Sequence, residues 1–294
     1  MTTAITITRH QGLDAIELRA PDGASATVLL HGGHLLSWIP AGGEEQLYVS
    51  PITAFANGQA IRGGVPVIFP QFAARGPLQR HGFARSKPWQ LVLAETGVDD
   101  ALAVLRLSDD AASRMLWPHA FELELSLRIS GQELQIELAC ENRGVEAFEF
   151  SAALHSYLRV LDLGETSVQG LAGLHYWDSV DDQLKTQRVD LLLPGGELDR
   201  IYHQVKQDVT LQEQRGAQLR RLQIRQQGFD DTVLWNPGAE KCAALADMPA
   251  DGYQQMLCIE AACVEHPITL QAGESWAGMQ SFTLLGATEE GESS

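Results

Sequence analysis

The sequence predicts an all-β protein, a sandwich or barrel of antiparallel strands, and three observations predict it. Apolar and polar residues alternate with a period of two in short runs along the whole chain, the pattern of strands with one buried face and one wet face. Clusters of Gly, Pro, Asn, Asp and Ser separate these runs, roughly every 8–12 residues. No amphipathic pattern of helical period extends beyond about two turns, which argues against alternating strand–helix units. The chain has 294 residues and is 45% hydrophobic, enough to bury a substantial core. No Pro/Ser/Gly-rich linker divides it. One domain spanning residues 1–294 is expected, with the acidic tail 287–294 frayed.

The elements follow in order. Residues 4–8 and 15–19 alternate on either side of a Gln11-Gly12 turn. Residues 25–30, 34–38 and the short run 47–49 read as further strands, punctuated by Gly32-Gly33 and Gly42-Gly43. After an irregular stretch, 89–93 and 101–107 pair across a Gly-Val-Asp-Asp turn. The clearest hairpin joins 121–129 to 134–138 through Ser130-Gly131-Gln132-Glu133. Residues 148–160, 188–192, 219–224, 232–235, 255–261 and 276–284 complete the strands. Single helical turns are expected within 109–117 and 246–253.

Charge singles out one segment. The chain carries 38 Asp and Glu against 21 Lys and Arg, a net charge of −17. Residues 46–94 nevertheless contain no acidic residue, and within them 61–87 (IRGGVPVIFPQFAARGPLQRHGFARSK) holds Arg62, Arg75, Arg80, Arg85 and Lys87. Its glycines and prolines preclude a helix or long strand. A shaped loop presenting guanidinium groups suits a small anion, because the guanidinium fork matches phosphate or carboxylate oxygens. The acidic balance argues against nucleic acid or an anionic membrane as partner. The N-terminus shows no secretory h-region and no apolar run is long enough to span a bilayer. Cys140, Cys242, Cys258 and Cys263 fit neither zinc nor CxxC spacing. They are expected to be reduced, in a cytoplasmic protein.

Two residues are out of place in apolar strands. His155 lies among small apolar residues in Ala152-Ala153-Leu154-His155-Ser156-Tyr157-Leu158. Glu260 is the one carboxylate in Met256-Leu257-Cys258-Ile259-Glu260-Ala261-Ala262-Cys263-Val264. Burial would raise a Glu pKa toward the range useful for a general base. Blander readings stay open: a satisfied core histidine, and a glutamate whose strand parity turns it outward. His81, between the basic loop and Gly82, is the other notable histidine. Asp199, after Pro194-Gly195-Gly196, reads by default as a solvated carboxylate. The P-loop, GxGxxG, GxSxG and HExxH motifs are absent. His81, His155 and Glu260 have no metal-ligand spacing. The inventory is a histidine, a glutamate and an arginine-lined anion pocket, suited to moving protons on a small anionic molecule without a metal or other cofactor.

Taken together, Ile61-Arg62-Gly63-Gly64-Val65-Pro66 with Phe69-Pro70, His81-Gly82-Phe83-Ala84-Arg85, Leu154-His155-Ser156-Tyr157, Asp199-Arg200-Ile201-Tyr202, Trp235-Asn236-Pro237 and Cys258-Ile259-Glu260 resemble a known family. It is the hexose-6-phosphate mutarotase (glucose-6-phosphate 1-epimerase) branch of the aldose 1-epimerase family, and the resemblance covers nearly the whole chain. It implies a galactose-mutarotase-like antiparallel β-sandwich (a supersandwich) with the site in a cleft across one sheet. It implies His155 as general acid, Glu260 as general base, His81 at the sugar ring and Asp199 on a sugar hydroxyl. Arg62 and Arg85 are implied as the substrate arginines, ahead of Arg80 and Arg75. The implied reaction interchanges the α and β anomers of a hexose 6-phosphate, glucose 6-phosphate foremost, and needs no redox cofactor and no metal. A monomer acting on a phosphosugar, without nucleic acid or membrane, is the expectation. A mutarotase for neutral hexoses and a non-catalytic phosphosugar-binding sandwich are the alternatives.

Overall fold

Residues 7–289 are described by the computed structural model. The expected first strand therefore lies partly outside the described residues, as does the acidic tail from residue 290 on.

The chain begins as a four-stranded meander: β1 (Ile7–His10), β2 (Leu13–Arg19), β3 (Ser25–Leu29) and β4 (His34–Ile39). Two eight-stranded sheets follow, built from β5 (Val67–Ile68), β6 (Gln90–Thr96), β7 (Ala101–Ser108), β8 (Phe121–Ser130), β9 (Glu133–Asn142), β10 (Phe148–Leu154), β11 (Tyr157–Arg159), β12 (Thr166–Gln169), β13 (His175–Asp178), β14 (Gln183–Thr186), β15 (Leu198–Tyr202), β16 (Val209–Arg215), β17 (Gln218–Gln227), β18 (Asp231–Asn236), β19 (Met256–Leu270) and β20 (Ser275–Glu289). One sheet runs β14-β13-β15-β18-β19-β10-β5, with β11 also on β19. The other runs β12-β16-β17-β20-β9-β8-β7-β6. The strand ladders are antiparallel, and the expected all-β sandwich is what forms.

Alternation explains the assembly. In β8, Phe121, Leu123, Leu125, Leu127 and Ile129 are buried while their neighbours are partly or fully exposed, and β9 answers with Leu134, Ile136, Leu138 and Cys140. These side chains meet Leu154, Leu257, Ile259 and Ala261 from the facing sheet, and Ile16, Val28 and Trp38 from the meander, in one continuous apolar cluster. Removing that surface from water is the main stabilising term, about 25 cal/mol per Å². All four cysteines are buried free thiols.

Several elements differ from expectation, and β5 and β12 to β16 are strands that the alternation did not predict. Residues 148–160 are not one strand: β10 ends at Leu154, β11 starts at Tyr157, and His155 and Ser156 occupy the break. Residues 47–49 form only the single bridges Leu47–Leu158 and Val49–Gly63. Of 188–192, only Leu192 pairs, as a bridge to Val168. Two short α-helices appear. α1 (Ala111–Leu116) falls within 109–117 and carries a capping box between Asp110 and Ser113, whereas α2 (Gly238–Ala243) was not expected. In 246–253, only a 3₁₀ turn begins, at Gly252.

Candidate active site

The residues singled out from the sequence converge. A cleft of about 440 Å³ opens on the β15-β18-β19 face, and Arg62, Arg75, Arg80, His81, Arg85, His155, Asp199 and Glu260 all line it. Sheet register explains half of this convergence. Ile201, Val233 and Glu260 lie directly opposite one another on β15, β18 and β19. Directly opposed residues share a face, and all three line the cleft. Parity therefore turns Glu260 into the cleft and not outward. Asp199 and Trp235 form the adjacent cross-strand pair and line it too.

His155 and Glu260 make the centre. Nδ1 of His155 lies 3.2 Å from Oε1 of Glu260, and both side chains are more than nine-tenths buried. The contact is too poorly aligned to be a hydrogen bond: His155 Nδ1 and Glu260 Oε2 are both buried without a hydrogen-bonding partner. Burial, reinforced by Asp199, pushes the Glu260 pKa well above the carboxylate range. Burial, then His81, Arg85 and Arg62, pushes that of His155 well below the imidazole range. Both shifts favour the uncharged forms of the two groups. The imidazole stacks on Tyr157 at 4.8 Å and 9° and meets Trp235 edge to face at 6.0 Å.

The arginines differ in what already occupies them. Arg62 binds Asp247 through Nε and Nη2, each at 3.1 Å, and donates from Nη1 to the Tyr157 hydroxyl at 3.0 Å. Burial opposes its charge, but Tyr157 and Asp247 outweigh burial and hold its pKa above the ordinary arginine value. Arg85 donates from Nη2 to the Arg80 carbonyl, at 3.0 Å. Its burial, with Arg62 and Arg80 close by, holds its pKa below the ordinary value. Among the described residues, neither Arg80 nor Arg85 has a carboxylate within ion-pair distance; Arg75 and Arg80 are exposed and Arg85 is half-buried.

The loop that carries these groups depends on glycine. A Cβ on Gly64 (φ +61°) would lie 2.2 Å from the Leu35 carbonyl oxygen, and one on Gly82 (φ +67°) would lie 2.1 Å from that of Phe69. His34, buried behind the loop, donates from Nε2 to the Gly63 carbonyl at 2.8 Å. His81 is itself left-handed, at φ 68°. Its N–H donates to the Ala73 carbonyl at 2.9 Å, and the Ala73 N–H donates to its Nδ1 at 3.3 Å. An accepting Nδ1 leaves the ring proton on Nε2, so neutral His81 can offer the cleft a donor. Burial, then the three neighbouring arginines, lowers its pKa to about 3. Burial raises the Asp199 pKa against the opposing pull of Ser179 and Lys241.

Tyr157, Ser179, Trp235 and Lys241 also line the cleft and were not singled out as site residues. Trp235 and Tyr157 stood inside quoted motifs and could have been taken as ring platforms. Lys241 comes with the unexpected α2. One trio could in principle hold a cation: His155, Cys258 and Glu260 place donor atoms within 4.8 Å of one another. The charge around it is unfavourable, because Arg62, Arg80 and Arg85 all press on the same pair. A dication there would meet the repulsion of these guanidinium groups against the attraction of Glu260 and Asp199.

Comparison with known proteins places this geometry. The family described as "Aldose 1-epimerase" matches residues 14–283. A protein of Cenchrus ciliaris named "Putative glucose-6-phosphate 1-epimerase" is 32% identical over 283 residues, covering 93% of this chain and 85% of the relative. One of the same name from Escherichia coli K12 is 37% identical over 253 residues, covering 85% and 83%. The crystal structure described as "a putative mutarotase (YeaD)" from Salmonella typhimurium superposes with a TM-score of 0.87 at 30% identity, covering 96% of this chain and 93% of that one.

Proposed function

The chain belongs to the aldose 1-epimerase family, and from that premise we propose that it interconverts the α and β anomers of a hexose 6-phosphate, with glucose 6-phosphate as the first candidate. The observation that carries the phosphate is the contrast among the arginines. Among the described residues, Arg85 and Arg80 have no carboxylate within ion-pair distance, and both line the same cleft as the acid–base pair. A neutral hexose would leave them unmatched, whereas a phosphate dianion pairs with guanidinium forks. Arg62 and Arg85 were both expected to grip substrate. We assign the grip to Arg85 and Arg80, with Arg75 at the rim. Arg62, engaged by Asp247, buttresses Tyr157 beneath the His155 ring.

The chemistry follows from the pair. With substrate bound, the phosphate offsets part of the guanidinium charge that helps keep His155 neutral. The proton held on Glu260 then moves toward the imidazole. The Glu260 carboxylate removes the C1 hydroxyl proton as His155 protonates the ring oxygen. The C1–ring-oxygen bond breaks, C1 becomes an aldehyde, and rotation about C1–C2 exposes its other face. Ring closure reverses both proton transfers and delivers the other anomer. His81 and Asp199 contact the sugar hydroxyls, and Trp235 offers an apolar platform. General acid–base assistance of this kind supplies about 10²–10⁴-fold in rate.

Two-dimensional exchange NMR on glucose 6-phosphate and on glucose is the test. Faster α/β exchange of the phosphate ester than of the free sugar is expected. Equal acceleration of both would make the protein a mutarotase for neutral hexoses. Binding without acceleration would make it a phosphosugar-binding sandwich.

A further inference from the structure

Behind the cleft, in the apolar layer between the two large sheets, sits a polar side chain that the reaction does not touch. Gln280 on β20 is fully buried and belongs to the sheet opposite the cleft. Its Oε1 accepts from the hydroxyl of Ser156 at 2.7 Å, and its Nε2 donates to the carbonyl of Ile259 at 3.0 Å. Ser156 is also fully buried, and the Ile259 N–H donates to the Ser156 carbonyl at 3.1 Å. The three residues thus close a ring of hydrogen bonds. A carbonyl can only accept, so Ile259 fixes which end of the Gln280 amide faces it.

Each contact lies one residue from a member of the acid–base pair. Ser156 follows His155 in the break between β10 and β11, where no regular ladder holds the backbone. Ile259 precedes Glu260, and its carbonyl belongs to the peptide unit that carries the Glu260 N–H. Side chains alternate across a strand. In β19, Ile259 therefore points into the inter-sheet layer and Glu260 into the cleft, while in the break Ser156 reaches Gln280 and His155 lines the cleft. We propose that Gln280 is a positioning residue for the His155–Glu260 pair, holding both members in register from the opposite sheet through Ser156 and Ile259. The proposal rests on the acid–base reading of the cleft. A buried amide is costly unless its hydrogen bonds are made, and here both bonds go to the two chain segments that carry the 3.2 Å contact.

Gln280→Met keeps the length of the side chain and removes both bonds. Measured per folded molecule, well below the melting temperature, kcat is expected to fall by about 10–100-fold, because sub-ångström misplacement of reacting groups is costly. KM should stay within about twofold, since the arginines are untouched. Both limbs of the pH–rate profile should shift, because the spacing of the pair sets its coupled titration. Ser156→Ala removes one bond and should lower kcat by about 2–10-fold. If Gln280→Met does not fold, this variant carries the test. The double variant should be no slower than Gln280→Met alone, as expected of residues acting through one contact. Wild-type kcat in the folded variants, or strictly additive losses, would overturn the proposal. If the parent protein accelerates no anomer exchange, the acid–base reading fails by itself, and positioning is read from the His155 imidazole resonances. Displaced ring shifts in Gln280→Met then support it, and unchanged shifts refute it.

Discussion

Glu260 is buried, carries an oxygen without a partner and has its pKa pushed above the ordinary 4.5. A raised folded-state pKa contributes stability that is fully present below pH 4.5 and is lost as pH rises toward the folded value. Glu260→Gln mimics the protonated group. The variant should match the parent near pH 4.5 and then become more stable by about 1.4 kcal/mol per pH unit until the folded carboxyl ionises. Denaturant titrations across pH check this, and a flat difference would mean the carboxyl is not desolvated. The same variant should lose about 10²–10⁴-fold in kcat for anomer exchange, so stability and activity move in opposite directions at one residue. Arg85→Ala should lower kcat/KM for glucose 6-phosphate by roughly 10–100-fold, the worth of hydrogen bonds to a charged group, and change exchange of free glucose far less, through the altered field at His155 alone. Arg62→Ala should instead loosen Tyr157 and reduce exchange of both sugars.

Among the elements, the glycine loop and the broken strand do the placing. Gly82→Ala would force a Cβ against the Phe69 carbonyl at a left-handed φ, whereas Gly12, also left-handed at φ +87°, has open space around it. The first substitution should cost roughly 2–4 kcal/mol and the second about 1–2. Chemical denaturation of the two variants separates clash from backbone strain. The same contrast marks what could be read from the sequence. The β8–β9 hairpin announces itself by alternation, because local pattern decides a strand with one buried face. The break at His155 and Ser156 does not. It is held by the His155 N–H on the Pro66 carbonyl at 3.1 Å and by Ser156 on Gln280, 124 residues away. The 188–192 run alternates like a strand but gains only the Leu192 bridge to Val168 on the edge strand β12.

At the scale of the whole molecule, a net charge of −17 surrounds an arginine-lined cleft that is proposed to take a dianion. Distance decides which field the substrate feels. The arginines act at contact, whereas charges farther away than the Debye length, about 10 Å at 0.1 M salt, are screened. Raising salt from about 0.05 to 0.5 M should therefore raise KM for glucose 6-phosphate a few-fold, and steady-state kinetics with glucose as control reads the effect. The acid-free run 46–94 disclosed this basic region from sequence alone. It could not disclose that Arg62 is engaged by Asp247, 185 residues further on. Ring opening and ring closure each move one proton off and one proton onto the sugar through the same two groups, His155 and Glu260, in opposite senses. The site is thus regenerated by the reaction itself, in either direction, with no exchange of protons with bulk water between turnovers. Turnover should then be indifferent to the concentration of external buffer, like a relay whose runners finish on their starting marks.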